Sequence, residues 1–128
     1  MPRTLLAAAI SCAFACTSAS ALAATAYVSN EKDDTVSVID LDTLETVETL
    51  EVGQRPRGLT LSRDNKLLYI CASDSDTVQV MDLATRKIIK QLPSGADPEQ
   101  FALHPNNKWL YTVSYTHLRA HETGRNLV

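Results

Sequence analysis

The strongest constraint on the fold of this chain is a tandem repeat of 42 residues. Residues 27–68 align without a gap on residues 69–110, and 15 of the 42 paired positions are identical. A third copy begins at Tyr111 and is lost soon afterwards. Units of this size cannot enclose a core of their own, so the chain must bury the apolar faces of each unit against its neighbours.

Each repeat unit is predicted to contain four short strands separated by polar turns. In the first copy Val36 and Val38 alternate with polar residues, which is the two-residue period of a half-buried strand. The same pattern predicts three strands within residues 25–51, four within 58–92 and two within 100–112. A four-stranded unit of about 42 residues is typical of a β-propeller blade. The predicted fold class is therefore all-β, a β-propeller fragment of four-stranded antiparallel blades.

The turns between these strands carry residues that suit unusual backbone angles. Gly53 and Gly95 each begin a Gly-x-x-Pro connection, where glycine is expected to supply a positive φ. Asn65 and Asn107 occupy the polar hairpin turns, and asparagine tolerates the left-handed conformation that such turns often need.

The amino terminus has the pattern of a secretory signal. Arg3 supplies a positive charge, Leu5–Ala15 form an apolar core, and Ala21–Ala23 match an A-x-A cleavage site. The apolar core is shorter than the roughly 20 residues that an ordinary membrane-spanning helix needs. Residues 1–23 are therefore expected to form a signal-peptide helix, which predicts a periplasmic or secreted protein with no membrane span in the mature chain.

The carboxyl terminus breaks the repeat abruptly. Residues 113–128 begin with VSYTHLRAHET, which resembles a translated transposase sequencing adapter. We therefore expect this segment to be an artefact and exclude it from the predicted fold. The exclusion matters because His117 and His121, with Glu122 beside them, would otherwise have the i, i+4 spacing of a zinc site on a helix.

Charge and cysteine content limit the possible partners and cross-links. Residues 24–112 contain nine basic and fourteen acidic side chains, a net charge of −5, which argues against a nucleic-acid partner. Cys71 is the only cysteine in this region, so no disulfide can form within it. Its alternation with apolar neighbours predicts a buried small side chain rather than a reactive thiol.

Several short motifs carry a family resemblance. Tyr27–Glu31 (YVSNE) and Thr35–Asp40 (TVSVID) resemble the YVTN family of β-propeller repeats. Asn30–Asp33, Arg55–Gly58 and Ala96–Glu99 narrow this resemblance to the periplasmic propellers associated with pyrroloquinoline-quinone-dependent catabolism.

The resemblance implies a ring of about seven blades, of which this chain holds about two. Residues 24–112 would form a partial propeller with repeats at 27–68 and 69–110 and the start of a third. The chain departs from the family at Asn65 and Asn107, where family members usually have glycine.

The resemblance also implies where a ligand would bind. Propellers usually bind at the end that carries the loops leading into the innermost strands, and here those loops contain Arg55, Arg57, Asp97 and Glu99. Arginines could bind a carboxylate or phosphate, and the two acids occupy the corresponding positions of the next repeat with opposite charge. The alternative is that all four are solvated loop charges.

The repeat region shows no pattern of a catalytic or metal site. Asp74 and Asp76 lack the oxygen-ligand pattern of a calcium loop, and His104 has no partner at metal-ligand spacing. We find no Ser-His-Asp arrangement and no phosphate-binding glycine loop. Neither a cofactor nor a metal is predicted.

These observations favour a non-catalytic periplasmic binding or scaffold protein. The resemblance implies an accessory role in quinoprotein alcohol catabolism, and the partner would be a small molecule or a periplasmic protein such as a quinoprotein dehydrogenase system. Two alternatives stay open. One is a propeller enzyme, lactonase-like or quinoprotein, whose catalytic residues lie in blades outside this chain; the other is a cell-surface structural repeat protein.

Overall fold

The computed structural model describes residues 24–114. The predictions for residues 1–23 and for residues 115–128 of the segment 113–128, including His117, His121 and Glu122, lie outside this range. The first two residues of that segment, Val113 and Ser114, are inside it and form the end of a strand, which the exclusion did not predict. The described part forms strands and one short 3-10 turn, Ser73–Ser75. The strands are β1 (Thr25–Asn30), β2 (Thr35–Asp40), β3 (Glu45–Glu51), β4 (Pro56–Leu61), β5 (Leu67–Ala72), β6 (Thr77–Asp82), β7 (Lys87–Pro93), β8 (Pro98–Leu103) and β9 (Leu110–Ser114).

The strands form three antiparallel sheets in chain order. The first blade contains β1-β2-β3, the second contains β4-β5-β6-β7, and the third contains β8-β9. The all-β propeller prediction, with its three, four and two strands, is thus confirmed. β4 lies against β1 on one side and β8 on the other, which makes it the innermost strand of its blade. No helix within residues 24–114 is long and apolar enough to cross a membrane.

The repeat extends to irregularities of the backbone. The register of β2 against β3 shifts between Val38 and Ile39, and that of β6 against β7 shifts between Val80 and Met81, which lie 42 positions later. The non-glycine residues with positive φ also fall into pairs separated by 42 positions. These pairs are Asp34 and Asp76, Leu44 and Arg86, Arg55 and Asp97, and Asn65 and Asn107.

The asparagine prediction is confirmed, but the prediction for one glycine is wrong. Asn65 and Asn107 have φ of 56° and 59°, and Gly95 has φ of 84°. Gly53 does not have a positive φ, and Arg55 takes the left-handed conformation in that loop instead. Gly53 is needed for close packing, since a Cβ atom there would lie 2.7 Å from the Cβ of Ala72.

The core lies between the blades rather than inside any one of them. Val36, Val38 and Leu50 of the first blade pack on Leu68, Ile70 and Met81 of the second. Tyr69, Cys71, Val78 and Val80, on the other face of the second blade, pack on Leu110 of the third. Each blade therefore stabilises its neighbour by burying an apolar face.

Cys71 has the environment that its neighbours in the sequence predict. Its side chain is fully buried, and burial raises the pKa of the thiol to about 12. The thiolate form that reacts with electrophiles is therefore almost absent at neutral pH.

Candidate functional site

Four loops meet at one end of the blades. They join β1 to β2, β3 to β4, β5 to β6, and β7 to β8; we call this the loop end and define it by residues 31–34, 52–57, 73–76 and 94–99. Hydrogen bonds from backbone amides to aspartate side chains hold neighbouring loops together. The amide of Arg55 donates to Asp34 Oδ1 at 2.7 Å, and the amide of Asp97 donates to Asp76 Oδ1 at 2.9 Å. These two contacts are 42 positions apart, so the loops repeat in structure as well as in sequence.

Arg55 lies in the middle of the loop end and contacts acids from all three blades. Its Nε donates to Glu31 Oε1 at 2.9 Å, and its Nη1 donates to Asp74 Oδ1 at 3.3 Å. The same Nη1 is 3.9 Å from Asp97 Oδ1, an ion-pair distance that is too long for a hydrogen bond. The guanidinium is thus surrounded by three carboxylates.

Arg57 occupies the second residue of β4, on the innermost strand. Its Nε and Nη2 donate to Glu31 Oε1 at 3.2 and 3.1 Å, and its Nη1 forms an ion pair with Glu99 of the third blade. Because Glu31 also accepts from Arg55, one carboxylate bridges both arginines.

The structure therefore brings together all four residues predicted for this site. Arg55 is paired with Asp97 and Arg57 with Glu99, so repeat-equivalent positions with opposite charge meet across the boundary between the second and third blades. Glu31 also belongs to the same network, although the sequence did not single it out. The available signal was its position in the Asn30–Asp33 motif, which carries the family resemblance together with Arg55–Gly58.

Two members of the network, Glu31 and Arg55, have shifted pKa values. Hydrogen bonds from Arg55 and then Arg57 lower the pKa of Glu31, and the bond to Glu31 followed by that to Asp74 raises the pKa of Arg55. Both shifts favour the charged forms. The outer members are substantially exposed, while the side chains of Arg57 and Glu99 are 23% and 21% exposed.

The loop end holds most of the net charge of the described blades. It contains seven acidic and three basic residues, a net charge of −4. Its arginines already have acidic partners, so an anionic ligand would have to compete with carboxylates of the protein. A ligand here would meet a polar surface of both signs with an acidic excess.

The remaining candidates do not form a site in the described residues. Within residues 24–114 there is no cluster of three or more side chains suited to hold a metal ion. His104 lies in the turn after β8, where its Nδ1 accepts a hydrogen bond from the amide of Asn106 at 3.2 Å. A cavity of about 400 Å³ lies between β1 and β4 and is lined by residues such as Tyr27, Leu59 and Asn65, away from the loop end.

Comparison with known proteins gives one family match. A family model described as YNCE-like beta-propeller matches residues 2–122. A search of curated proteins gives no match.

Similar solved structures include two that are named as enzymes. Hydrazine synthase of Kuenenia stuttgartiensis is 27% identical with a TM-score of 0.67, covering 70% of this chain and 26% of that chain. The dihydro-heme d1 dehydrogenase NirN, in complex with DHE, is 21% identical with a TM-score of 0.61, covering 77% and 22%. A functionally unknown protein from Desulfotomaculum acetoxidans is 14% identical with a TM-score of 0.61, covering 69% and 30%. The last two likenesses show the fold alone, and the chain spans less than a third of each structure.

Proposed function

Because the chain belongs to the YNCE-like β-propeller family, we propose that it acts as a non-catalytic binding or scaffold propeller in the bacterial periplasm. The loop end is the binding surface. The observation that carries this proposal is the network in which Glu31 bridges Arg55 and Arg57 while acids of the second and third blades hold the same two arginines.

The electrostatics of this network suit recognition better than proton transfer. A general acid or base works best when its pKa lies near the operating pH. The pKa of Glu31 is lowered and that of Arg55 is raised, so both move away from neutrality. Side chains that hold one another in fixed positions form a pre-organised polar surface, which lowers the entropic cost of binding a partner.

The sequence motifs support a more specific role for this surface. Asn30–Asp33 and Arg55–Gly58, which carry the resemblance to propellers of pyrroloquinoline-quinone-dependent catabolism, both lie at the loop end. We therefore assign the protein an accessory role in quinoprotein alcohol oxidation, with a periplasmic quinoprotein dehydrogenase as the partner.

A binding experiment tests this role directly. A purified quinoprotein alcohol dehydrogenase would be immobilised, and the 128-residue chain would be passed over it at low and at moderate salt. We expect saturable binding that weakens with salt, because surface charge pairs are screened by ions. Arg57→Ala should lower the affinity at least about tenfold, because it removes the side chain that joins Glu31 to Glu99. Arg63→Ala, an exposed arginine in the β4–β5 turn, is the matched control and should bind like the wild type. Absence of wild-type binding would contradict the quinoprotein partner.

The periplasmic location rests on the sequence of residues 1–23 and has its own test. The chain would be expressed in a bacterium, and the periplasmic fraction would be analysed by mass spectrometry. A protein that begins at Ala24 is the expected result. Full-length protein retained in the cytoplasm would contradict the location.

A second candidate function is an enzyme, because two of the similar solved structures are named as enzymes. Since the catalytic residues of this alternative would lie in further blades, the test is hydrolysis of simple lactones by a protein that also carries those blades, monitored by pH-stat titration. A rate above background that is lost in Arg57→Ala would contradict the non-catalytic proposal, whereas background rates for both proteins are expected.

A further inference from the structure

The loop between β3 and β4, which carries Arg55, is bound by residues on both sides of it. The amides of Val52 and Arg55 donate to the backbone carbonyl and to Oδ1 of Asp34 in the first blade, at 3.0 and 2.7 Å. The amide of Gln54 donates to Ser75 Oγ of the second blade at 3.1 Å. Three of the four amides from Val52 to Arg55 are thus held by other loops.

The fourth amide is bound by a buried side chain of the second blade. Gln79 lies in β6 and is 7% exposed, and its Oε1 accepts a hydrogen bond from the amide of Gly53 at 2.6 Å. A buried polar group that loses its partner is costly, so this contact strongly favours one position of the loop. Gln79 therefore acts on the backbone two residues before Arg55.

The repeat indicates that this contact is particular to the second blade. The residue 42 positions before Gln79 is Ser37, whose Oγ accepts from Asn30 Nδ2 within its own sheet at 2.8 Å. The second-blade equivalent of Asn30 is Ala72, on which Gly53 packs closely. In the second blade, therefore, alanine leaves room for the loop and glutamine reaches its backbone.

Arg55 depends on such support because its backbone conformation is unfavourable. Its φ is 53°, in the left-handed region that residues other than glycine rarely adopt. A conformation of this kind persists only where the surrounding structure holds it. The guanidinium must also reach Glu31, Asp74 and Asp97 from three blades, so its place depends on the position of the loop.

We propose that Gln79 is a positioning residue for the binding surface at the loop end. It fixes the amide of Gly53, and through the loop it holds the Arg55 guanidinium between the acids of the three blades. This role rests on the proposed function, in which the loop end binds a partner. Without the contact, Arg55 would sample several positions, and a partner would have to order it on binding.

Gln79→Met tests the role in the full chain, because methionine has a similar length and no oxygen acceptor. Hydrogen exchange followed by NMR should show the amides of Gly53 and Arg55 exchanging at least about tenfold faster, with exchange of the β5 amides unchanged. The pKa of the Glu31 carboxyl should rise towards 4.5 as its contact with Arg55 weakens. Affinity for the immobilised quinoprotein alcohol dehydrogenase should fall about three- to tenfold.

A matched control and a second variant make the result specific. Gln91 pairs with Gln79 across the sheet and is exposed, so Gln91→Met makes the same change away from the loop and should behave like the wild type. Gln79→Ser takes the place of Gln79→Met if circular dichroism shows that the latter is unfolded. It installs the residue of the first blade, whose shorter side chain cannot keep the contact with Gly53.

Three results would overturn the role of Gln79. The first is a folded variant in which the exchange of the Arg55 amide and the pKa of Glu31 match the wild type. The second is faster exchange throughout β5 as well, which would indicate a general loss of stability. The third is a variant that binds the dehydrogenase as tightly as the wild type does. A wild-type chain that fails to bind would contradict the proposed function instead, and exchange and the Glu31 titration would still decide whether Gln79 positions Arg55.

Discussion

Replacing Gly58 with alanine is expected to destabilise the contact between the two innermost strands. A Cβ atom at this position would lie 2.7 Å from the carbonyl oxygen of Glu99 and 3.1 Å from the Cα of Gln100, both in the backbone of β8. Backbone atoms in a strand cannot rotate away as a side chain can. The third blade would therefore have to move away from the second by several tenths of an ångström.

The expected cost follows from two opposing effects. Overpacking of this kind costs about 1–3 kcal/mol, while replacing glycine by alanine returns about 0.4–1 kcal/mol through the lower entropy of the unfolded chain. Gly58 does not have a positive φ, so backbone strain adds nothing. The two ranges leave a net expected loss of about 0–2.6 kcal/mol of unfolding free energy, centred near 1.3 kcal/mol.

Urea denaturation followed by far-ultraviolet circular dichroism measures this loss. The slope for a small domain is about 1–3 kcal/mol per molar urea, so a loss near 1.3 kcal/mol should lower the midpoint by roughly 0.4–1.3 M. The matched control is Gln100→Ala, at the exposed repeat-equivalent position, which should change stability by less than about 0.5 kcal/mol. A Gly58→Ala midpoint at or above that of the wild type would refute the reasoning, because only the entropic gain would then remain.

Three further predictions concern the turns, the loop end and the buried thiol. Asn65→Ala should lower the unfolding free energy by about 1 kcal/mol in the same urea assay, because the left-handed conformation is unfavourable for alanine. Asn65→Gly should not lower it, because glycine adopts that conformation without strain. The Glu31 carboxyl should titrate below its usual value of 4.5 by carbon-13 NMR and return towards it in the Arg55→Ala, Arg57→Ala double variant. Because the folded pKa is the lower one, the stabilisation from Glu31 is present above pH 4.5 and is lost as pH falls through the folded value. Cys71 should not react with a disulfide reagent at pH 8 until urea unfolds the chain, and rapid reaction of the native protein would contradict its burial.

The strands could be predicted because two copies of the same pattern constrain each other. An apolar alternation that recurs 42 positions later is unlikely to be accidental, so the predicted strands agree with the observed ones to within a few residues. The innermost strands begin earlier than predicted, at Pro56 and Pro98. Proline was read as part of the connection, although it is tolerated as the first residue of a strand.

The candidate site could be predicted only in part. Arg55, Arg57, Asp97 and Glu99 converge because equivalent positions of neighbouring blades lie side by side. The bridging role of Glu31 depends on the rotation between blades and on side-chain geometry, which the repeat period does not encode. Gly53 illustrates the same limit. A larger residue there would clash with Ala72 of the second blade, and the repeat period does not reveal this contact.

The opposite charges at repeat-equivalent positions bear on how the chain avoids misfolding. Tandem units of similar sequence can exchange segments between neighbours or between molecules, because each unit offers nearly the same surface. Here an exchange that put two copies of the second blade together would bring the guanidiniums of two Arg55 and two Arg57 side chains face to face. The correct order instead sets Arg57 against Glu99. The opposite charges thus favour the correct order of neighbouring repeats. A variant in which the second and third blades carry the same charge at these positions would be prone to domain swapping.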